Sequence, residues 1–284
     1  MIRTTLESFE DKETLVYAST VDLSGLLQLN NAHLSVALKE FEIALKIREA
    51  ILDPDDAFIT SSFNNIVLAY TELNDLSQAY SYHSKAIDIR LRTNSDRIGN
   101  SYSNMSSTLL RMGKPDEAKE MLARCPSLKD FKDETFLKTG NPRFSGDMVL
   151  LSRIRVQQGR LDDAIRLSSK ALAFRQSTLG NRLKTCDALY LVASQLQRRG
   201  NIATAVSLLN ESISIAENLP EGKCYDARSE YKLGIIYEGR GELKQSHALK
   251  TAAKSLRQEL VSEQRSKEED GGDAYEKLCV WMLW

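Results

Sequence analysis

Six times along the chain, three small residues recur at the same two spacings, twelve residues and then seven. They are Gly25/Ala37/Ala44, Val67/Ala79/Ala86, Ser106/Ala118/Cys125, Ser152/Ala164/Ala171, Ala193/Ala205/Ser212 and Gly234/Ser246/Ala253. Only Val67 departs from smallness. The middle column advances by 42, 39, 46, 41 and 41 residues, so length varies between triplets and never within one. Two helices approach to about 8 Å between axes only where the facing side chains are small, and a seven-residue step returns to the same helix face after two turns. Each triplet therefore predicts one contact point on a first helix and two on a second.

The residues between the first two members of a triplet support this. LNDL (73–76), MGKP (112–115), QGRL (158–161), RGNI (199–202) and RGEL (240–243) are short turns. Gly113, Gly159, Gly200 and Gly241 stand where a helix closes on a left-handed residue, and Pro115 or an aliphatic residue two positions on opens the next helix. A hairpin of this kind cannot bury its apolar face alone and needs neighbours stacked against it. The expectation is an all-α fold, a right-handed α-α superhelix of about six helix hairpins. Its units fall at about 14–52, 57–94, 98–126, 146–179, 185–219 and 225–262 within an array over 1–265, and 266–284 form a charged linker and an aromatic tail. Glycine-bearing turns interrupt every heptad-like run, which excludes a long coiled coil.

The segment LDPDDAFITSSFNNIVLAYTEL (52–73), with Asp53-Pro54 in a linker and Asn64-Asn65 ahead of an aliphatic pair, resembles the connector and first helix of tetratricopeptide repeats. The form it resembles is the long one, of roughly 42 residues, found in kinesin light chains and in fungal signalling proteins. ALKIRE (44–49), AIDIR (86–90) and ALAFR (171–175) resemble the second-helix ending of that family, and STLG (177–180) its connector. The resemblance runs from Thr14 to Val261. It departs from the pattern between Pro126 and Pro142, where the connector is longer than any other, and at the start, where FEDKET (9–14) resembles a connector with no unit before it, as in a truncated array. The resemblance implies a protein-interaction fold and no particular partner.

Composition narrows the class. A formal charge of −1, with Lys and Arg spread along the chain, supplies no field to hold a polyanion, so a nucleic-acid partner is not expected. No run of about 18 apolar residues occurs, and the first residues lack the apolar centre of a secretory signal. A soluble, cytoplasmic protein without membrane contact is expected. Cys125, Cys186, Cys224 and Cys279 have no metal-ligand spacing and read as free thiols. Cys186 and Cys224 stand near first-helix starts, which lowers a thiol pKa. His33, His83 and His247 cannot share one metal, and acidic pairs such as Asp162-Asp163 suit helix starts. No cofactor, metal site or catalytic set is expected.

In stacked hairpins a ligand meets mainly first-helix side chains. The inward positions are Asp22, Leu26 and Asn30, then Asn64 and Asn65, then Asn100, Ser103 and Asn104: a polar, nearly uncharged half. The later units place Arg153, Tyr190, Arg228, Tyr231 and Lys232 there, a basic and aromatic half. Asn amides both donate and accept, which suits them to the main chain of an extended peptide. By the resemblance, Asn65 and Asn104 match positions that grip a peptide, and Arg228 with Lys232 match a basic pair that holds a terminal carboxylate in chaperone-binding members. Leu191 and Val149 stand where that clamp needs Asn and Lys, so the full clamp is missing. These Asn side chains equally suit capping or cross-linking of helices, and the basic pair a solvated face. The tail residues Tyr275, Leu278, Trp281 and Trp284 suit either a cap on the last hairpin or a docking and self-association segment.

The reading is a non-catalytic scaffold that binds a peptide segment of a protein partner in its groove. Such a scaffold predicts an open groove with exposed Asn and Arg and no strongly perturbed titratable group, and an enzyme a deep enclosed pocket with one. The alternatives are an enzyme that uses the interior as a small-molecule pocket, with Tyr190, Tyr231, Arg228 and Lys232 as its polar groups, and the sensor or oligomerisation arm of a signalling system acting in trans.

Overall fold

The computed structural model describes residues 11–30, 33–125, 128, 142–261 and 271–279. Its elements are helices. They fall into two compact units, residues 1–129 and 130–284.

The first unit holds three hairpins: α1 (Leu15–Asn30) with α2 (Leu34–Ile51), α3 (Ala57–Glu72) with α4 (Leu76–Arg92), and α5 (Ile98–Arg111) with α6 (Pro115–Leu122). The second holds three more: α7 (Pro142–Gln157) with α8 (Leu161–Leu179), α9 (Leu183–Arg199) with α10 (Ile202–Glu217), and α11 (Lys223–Gly239) with α12 (Leu243–Leu260). A short helix, α13 (Gly272–Glu276), follows. Within each unit every helix of α1–α6 and of α7–α12 packs on its neighbours in sequence, so each hairpin packs on the next, and α13 packs on α11. The all-α class and the hairpin order are those the spacing predicts. First helices also reach each other, α1 to α3 and α9 to α11, and among the described residues no pair of second helices packs as closely. The first-helix side is therefore the inner one.

All eighteen triplet residues are buried. At two hairpins the closeness is explicit, because the Ser106 hydroxyl donates to the Ala118 carbonyl at 2.7 Å and that of Ser152 to Ala164 at 2.8 Å. Only a small residue brings a second helix's backbone within reach of a first helix's side chain. Gly25 shows the limit: a Cβ there would lie 2.5 Å from a Phe41 ring carbon. The turns close as expected, with φ of 74°, 74°, 89° and 78° at Gly113, Gly159, Gly200 and Gly241. In the second hairpin Asn74 takes the same role at φ 61°, since Asn tolerates the left-handed region better than other non-glycine residues.

A second recurrent device lies four residues past the last triplet member. Arg48, Arg90, Arg175 and Arg257 are buried near the ends of α2, α4, α8 and α12. Arg48 binds Asp22 of its own hairpin and donates at 2.6 Å to Ser62 of the next. Arg90 reaches Ser101 at 2.8 Å and Arg175 the Lys184 carbonyl at 2.7 Å, each on the following first helix. The guanidinium fork satisfies several acceptors at once, so one side chain ties two hairpins. Asp22, expected in the groove, is instead buried in this tie because its carboxylate is the counter-charge that lets Arg48 be buried. In the second unit a polar chain adds to it. Gln195 of α9 accepts from Ser168 at 2.6 Å and donates to Ser152 at 2.8 Å, joining α9 to both helices of the preceding hairpin.

Candidate functional site

In the first unit α3 and α5 carry the Asn residues. Asn64, Asn65 and Asn100 are half-buried and Asn104 is buried, so the expectation of exposed amides holds in part. The Oδ1 atoms of Asn64 and Asn104 are buried without a hydrogen-bond partner among the described residues. A buried polar atom left unpaired is costly, and a main-chain N–H laid along these helices would relieve it. The side chain of Asn30 lies outside the described residues. A cleft of about 390 Å³ between Phe63, Lys85, Asp88 and Arg92 opens elsewhere on this unit.

In the second unit four of the expected residues converge on a centre that sequence reading missed. Asp187, in the first turns of α9, faces Arg228 of α11 at 3.3 Å, Arg153 of α7 at 3.6 Å and Arg175 of α8 at 3.6 Å. Burial pushes the Asp187 carboxyl up, and the three guanidinium groups outweigh it, holding the group below the usual carboxylate range. Burial lowers Arg153 to about 10 against the pull of Asp187, which leaves it charged at neutral pH. Arg228 lies 4.1 Å over the Tyr190 ring, a stacking geometry that suits a guanidinium. Lys232 is half-buried, and burial holds it below the usual lysine range although the nearby Glu276 opposes the shift.

Arg228 was expected to stand exposed and is 2% exposed. The reason is the C-terminal segment, which packs on this inner face. Tyr275 stacks on Tyr231 at 4.0 Å between centroids and 12° between planes. It is buried among Ala227, Ala253, Leu256 and Leu278. The Tyr190 hydroxyl donates to the Glu276 carboxylate, and burial followed by that carboxylate pushes the phenol well above its ordinary value. The segment caps α11 and α12 and also reaches α9. Trp281 and Trp284 lie outside the described residues, as does most of the long connector.

Three smaller expectations resolve at this stage. Burial pushes the Cys186 thiol up to about 11, overturning a lowered value: the helix start is outweighed by its apolar surroundings. Cys224 is lowered, first by a hydrogen bond from Cys279. His83 is fully packed, and burial takes it down to about 3. No His/Cys/Asp/Glu group able to hold a metal occurs among the described residues, and no helix among them is long and apolar enough to cross a membrane.

Stacked hairpins sealed by small residues, with first helices forming an inner face, define the helical-repeat class. Residues 148–218 and 99–130 match family models of the tetratricopeptide repeat, so the chain carries tetratricopeptide repeats over those stretches. The fold is similar to that of Podosopora anserina kinesin-light-chain-type nearly identical TPR-like repeats, with TM-score 0.53, 17% identity, 75% of this chain covered and 100% of that one. It is also similar to a Rap protein complexed with Competence and Sporulation Factor, with TM-score 0.66, 13% identity and coverage of 97% and 78%. A third similar structure is the Rap conjugation gene regulator of plasmid pLS20 in complex with the Phr* peptide, with TM-score 0.65, 16% identity and coverage of 89% and 76%. The sequence has no significant match among curated proteins.

Proposed function

We propose that the chain is a non-catalytic interaction scaffold whose inner face holds a peptide segment of a protein partner. The observation that carries this reading is the seating of Tyr275 and Glu276. A short piece of polypeptide lies on α9 and α11, held by a ring stack on Tyr231 and a carboxylate at Tyr190, and residues expected at the groove do the holding. The similar pLS20 regulator was solved with a peptide, which adds support at the level of fold. The groups around Asp187 are matched to each other instead of being poised for proton transfer: Asp187 is held low by three arginines, and Tyr190 is pushed away from neutrality. Acid–base chemistry needs a pKa near the working pH, so these groups suit binding. Against the expectation for a scaffold, burial pushes Glu230 of α11 up to about 7. The Asn residues of α3 and α5 extend the same role to the first unit, where they would take main-chain groups.

A direct test uses a fluorescent synthetic peptide of residues 270–278, DGGDAYEKL, titrated into the full chain carrying Tyr275→Ala and Glu276→Ala, whose own segment is weakened. Saturable binding is expected, falling about tenfold or more when Lys232→Glu and Tyr231→Ala are added. Absence of saturable binding, or binding indifferent to those two changes, would remove the proposal. The substitutions Asn64→Ala and Asn104→Ala are expected to leave this probe unaffected, since they sit in the other unit.

A further inference from the structure

The arginine tie between hairpins has a gap in the second unit. Four residues past Ser212, where α2, α4, α8 and α12 carry an arginine, stands Ala216. The serine that would receive it is still there. Ser229, five residues before Gly234, holds the place that Ser62 and Ser101 hold before Val67 and Ser106. Ser62 and Ser101 accept from Arg48 and Arg90, whereas Ser229 meets the Ser212 hydroxyl at 3.0 Å. The seam between α10 and α11 is thus built to the common plan without its cation.

Acids flank Ser229. Asp226 and Glu230 stand one turn apart on α11 and share a face, and Glu217 ends α10. The repeat shows where the three meet: at the same positions of the first unit, Glu49, Ile59 and Phe63 together line the cleft of about 390 Å³. That cleft is lined from the second helices α2 and α4 as well as from α3, so it lies off the inner face. Where it has Lys85 and Arg92, the sixth hairpin has Ala252 and Glu259. A cleft of mixed charge in the first unit therefore corresponds to an acidic one in the second. Asp226 is 8% exposed and Glu230 half-buried, and Asp226 Oδ1 and Glu230 Oε2 are buried without a hydrogen-bond partner among the described residues.

We propose that the seam of α10 and α11 is a second binding site, which takes the guanidinium group of an arginine on a segment of a partner protein in the place left by the missing tie. Carboxylates buried away from a cation are costly. The planar fork of a guanidinium satisfies several acceptors at once, as Arg48 does with Asp22 and Ser62. Glu217, exposed at the rim, adds attraction for a basic segment. The groups among the described residues do not form a metal-holding set, which favours an organic cation.

The charges facing the pair agree with this. From α10 comes Glu217, and from α12 comes Glu259, which is paired with Lys223 of α11 at 2.6 Å. Asp187 of α9 and Glu276 of α13 are engaged by Arg228 and Tyr190 on the inner face. Burial pushes Asp226 up to about 6 with Glu217 adding to the shift, and pushes Glu230 up to about 7 with Asp226 and Glu217 adding. A cation favours the ionised carboxylates, so binding should tighten as pH rises through 6 and 7 and should release protons.

The test follows the backbone amides of the full chain by NMR during titration with the acetylated, amidated peptide GSRSG. The control is the same peptide with citrulline, the neutral isostere, in place of arginine. Saturable shifts are expected in residues 213–217 and 223–231 and none with citrulline. Binding should weaken about tenfold or more in Asp226→Asn with Glu230→Gln, and tighten about tenfold from pH 5.5 to pH 8. The double variant removes unpaired buried charge, so it should melt above the parent at pH 8, an advantage that shrinks at pH 5. A double variant that melts below the parent at pH 8, equal binding of the citrulline peptide, shifts confined to other helices, or no saturation would overturn the site. Spermidine or calcium moving the same amides at lower concentration than the peptide would assign the seam to a free cation and overturn the partner arginine. Failure of the DGGDAYEKL probe to bind removes the inner-face reading alone and leaves this seam standing.

Discussion

Gly25 and His83 show how single residues set the tolerances of this array. The ring of Phe41 fills the space a side chain at position 25 would need, and overpacked cores lose about 1–3 kcal/mol. Gly25→Ala is therefore expected to lower the denaturation midpoint by that order, with Phe41→Leu in the same chain restoring part of the loss in urea titrations. His83 is buried and held neutral down to about pH 3, whereas in the unfolded chain it protonates near its ordinary value. Its folded pKa is depressed, so as pH falls below about 6.5 the unfolded state gains a proton the folded state refuses. Stability should drop by about 1.4 kcal/mol per pH unit from this group through that window. His83→Leu should remove that slope, which urea titrations at pH 7, 6 and 5 will show. The triplets were legible because a size constraint leaves the same mark wherever two helices touch. His83 was not, since a lone histidine on a second helix carries no sign of which way it points.

At the level of helices and hairpins, Arg48, Arg90 and Arg175 add polar ties to the apolar contacts between neighbouring hairpins. Removing one partner of a buried ion pair strands the other and costs about 3–5 kcal/mol. Arg48→Ala is expected to approach that figure, and Arg48→Ala combined with Asp22→Ala to cost less than Arg48→Ala alone; denaturation of the three variants supplies the cycle. These arginines were in plain sight in ALKIRE, AIDIR and ALAFR. Their repetition four residues past a small residue was the available signal, but a charged residue near a helix end ordinarily lies in water. Asp187 was hidden for the complementary reason. Arg153, Arg175 and Arg228 are spread over three helices, and only stacking shows that they share one carboxylate. Asp187→Asn should leave three guanidinium groups crowded together, loosening α9 against α11, with faster hydrogen exchange there than in α3 to α5.

For the whole molecule, stability in stacked repeats is a sum of local terms and contacts between neighbours. Tyr275→Ala, which empties the place among Ala227, Ala253 and Tyr231, should therefore raise hydrogen exchange in α11 and α12 while leaving α1 to α6 unchanged. Uniform acceleration along the chain would contradict a neighbour-by-neighbour build. The array itself was legible because periodicity repeats its evidence six times. The seat of the C-terminal segment was not, because it occurs once: the bond from Tyr190 to Glu276 joins residues 86 positions apart and belongs to no repeat. One feature of the second unit bears on how such a chain can evolve. Gln195 finds its two hydroxyl partners, Ser152 and Ser168, only on the hairpin that precedes it. Transplanted beside any other hairpin, it would bring an unsated amide into a dry seam, so duplication or shuffling of this module would be penalised at the junction and its address along the chain is written into its chemistry.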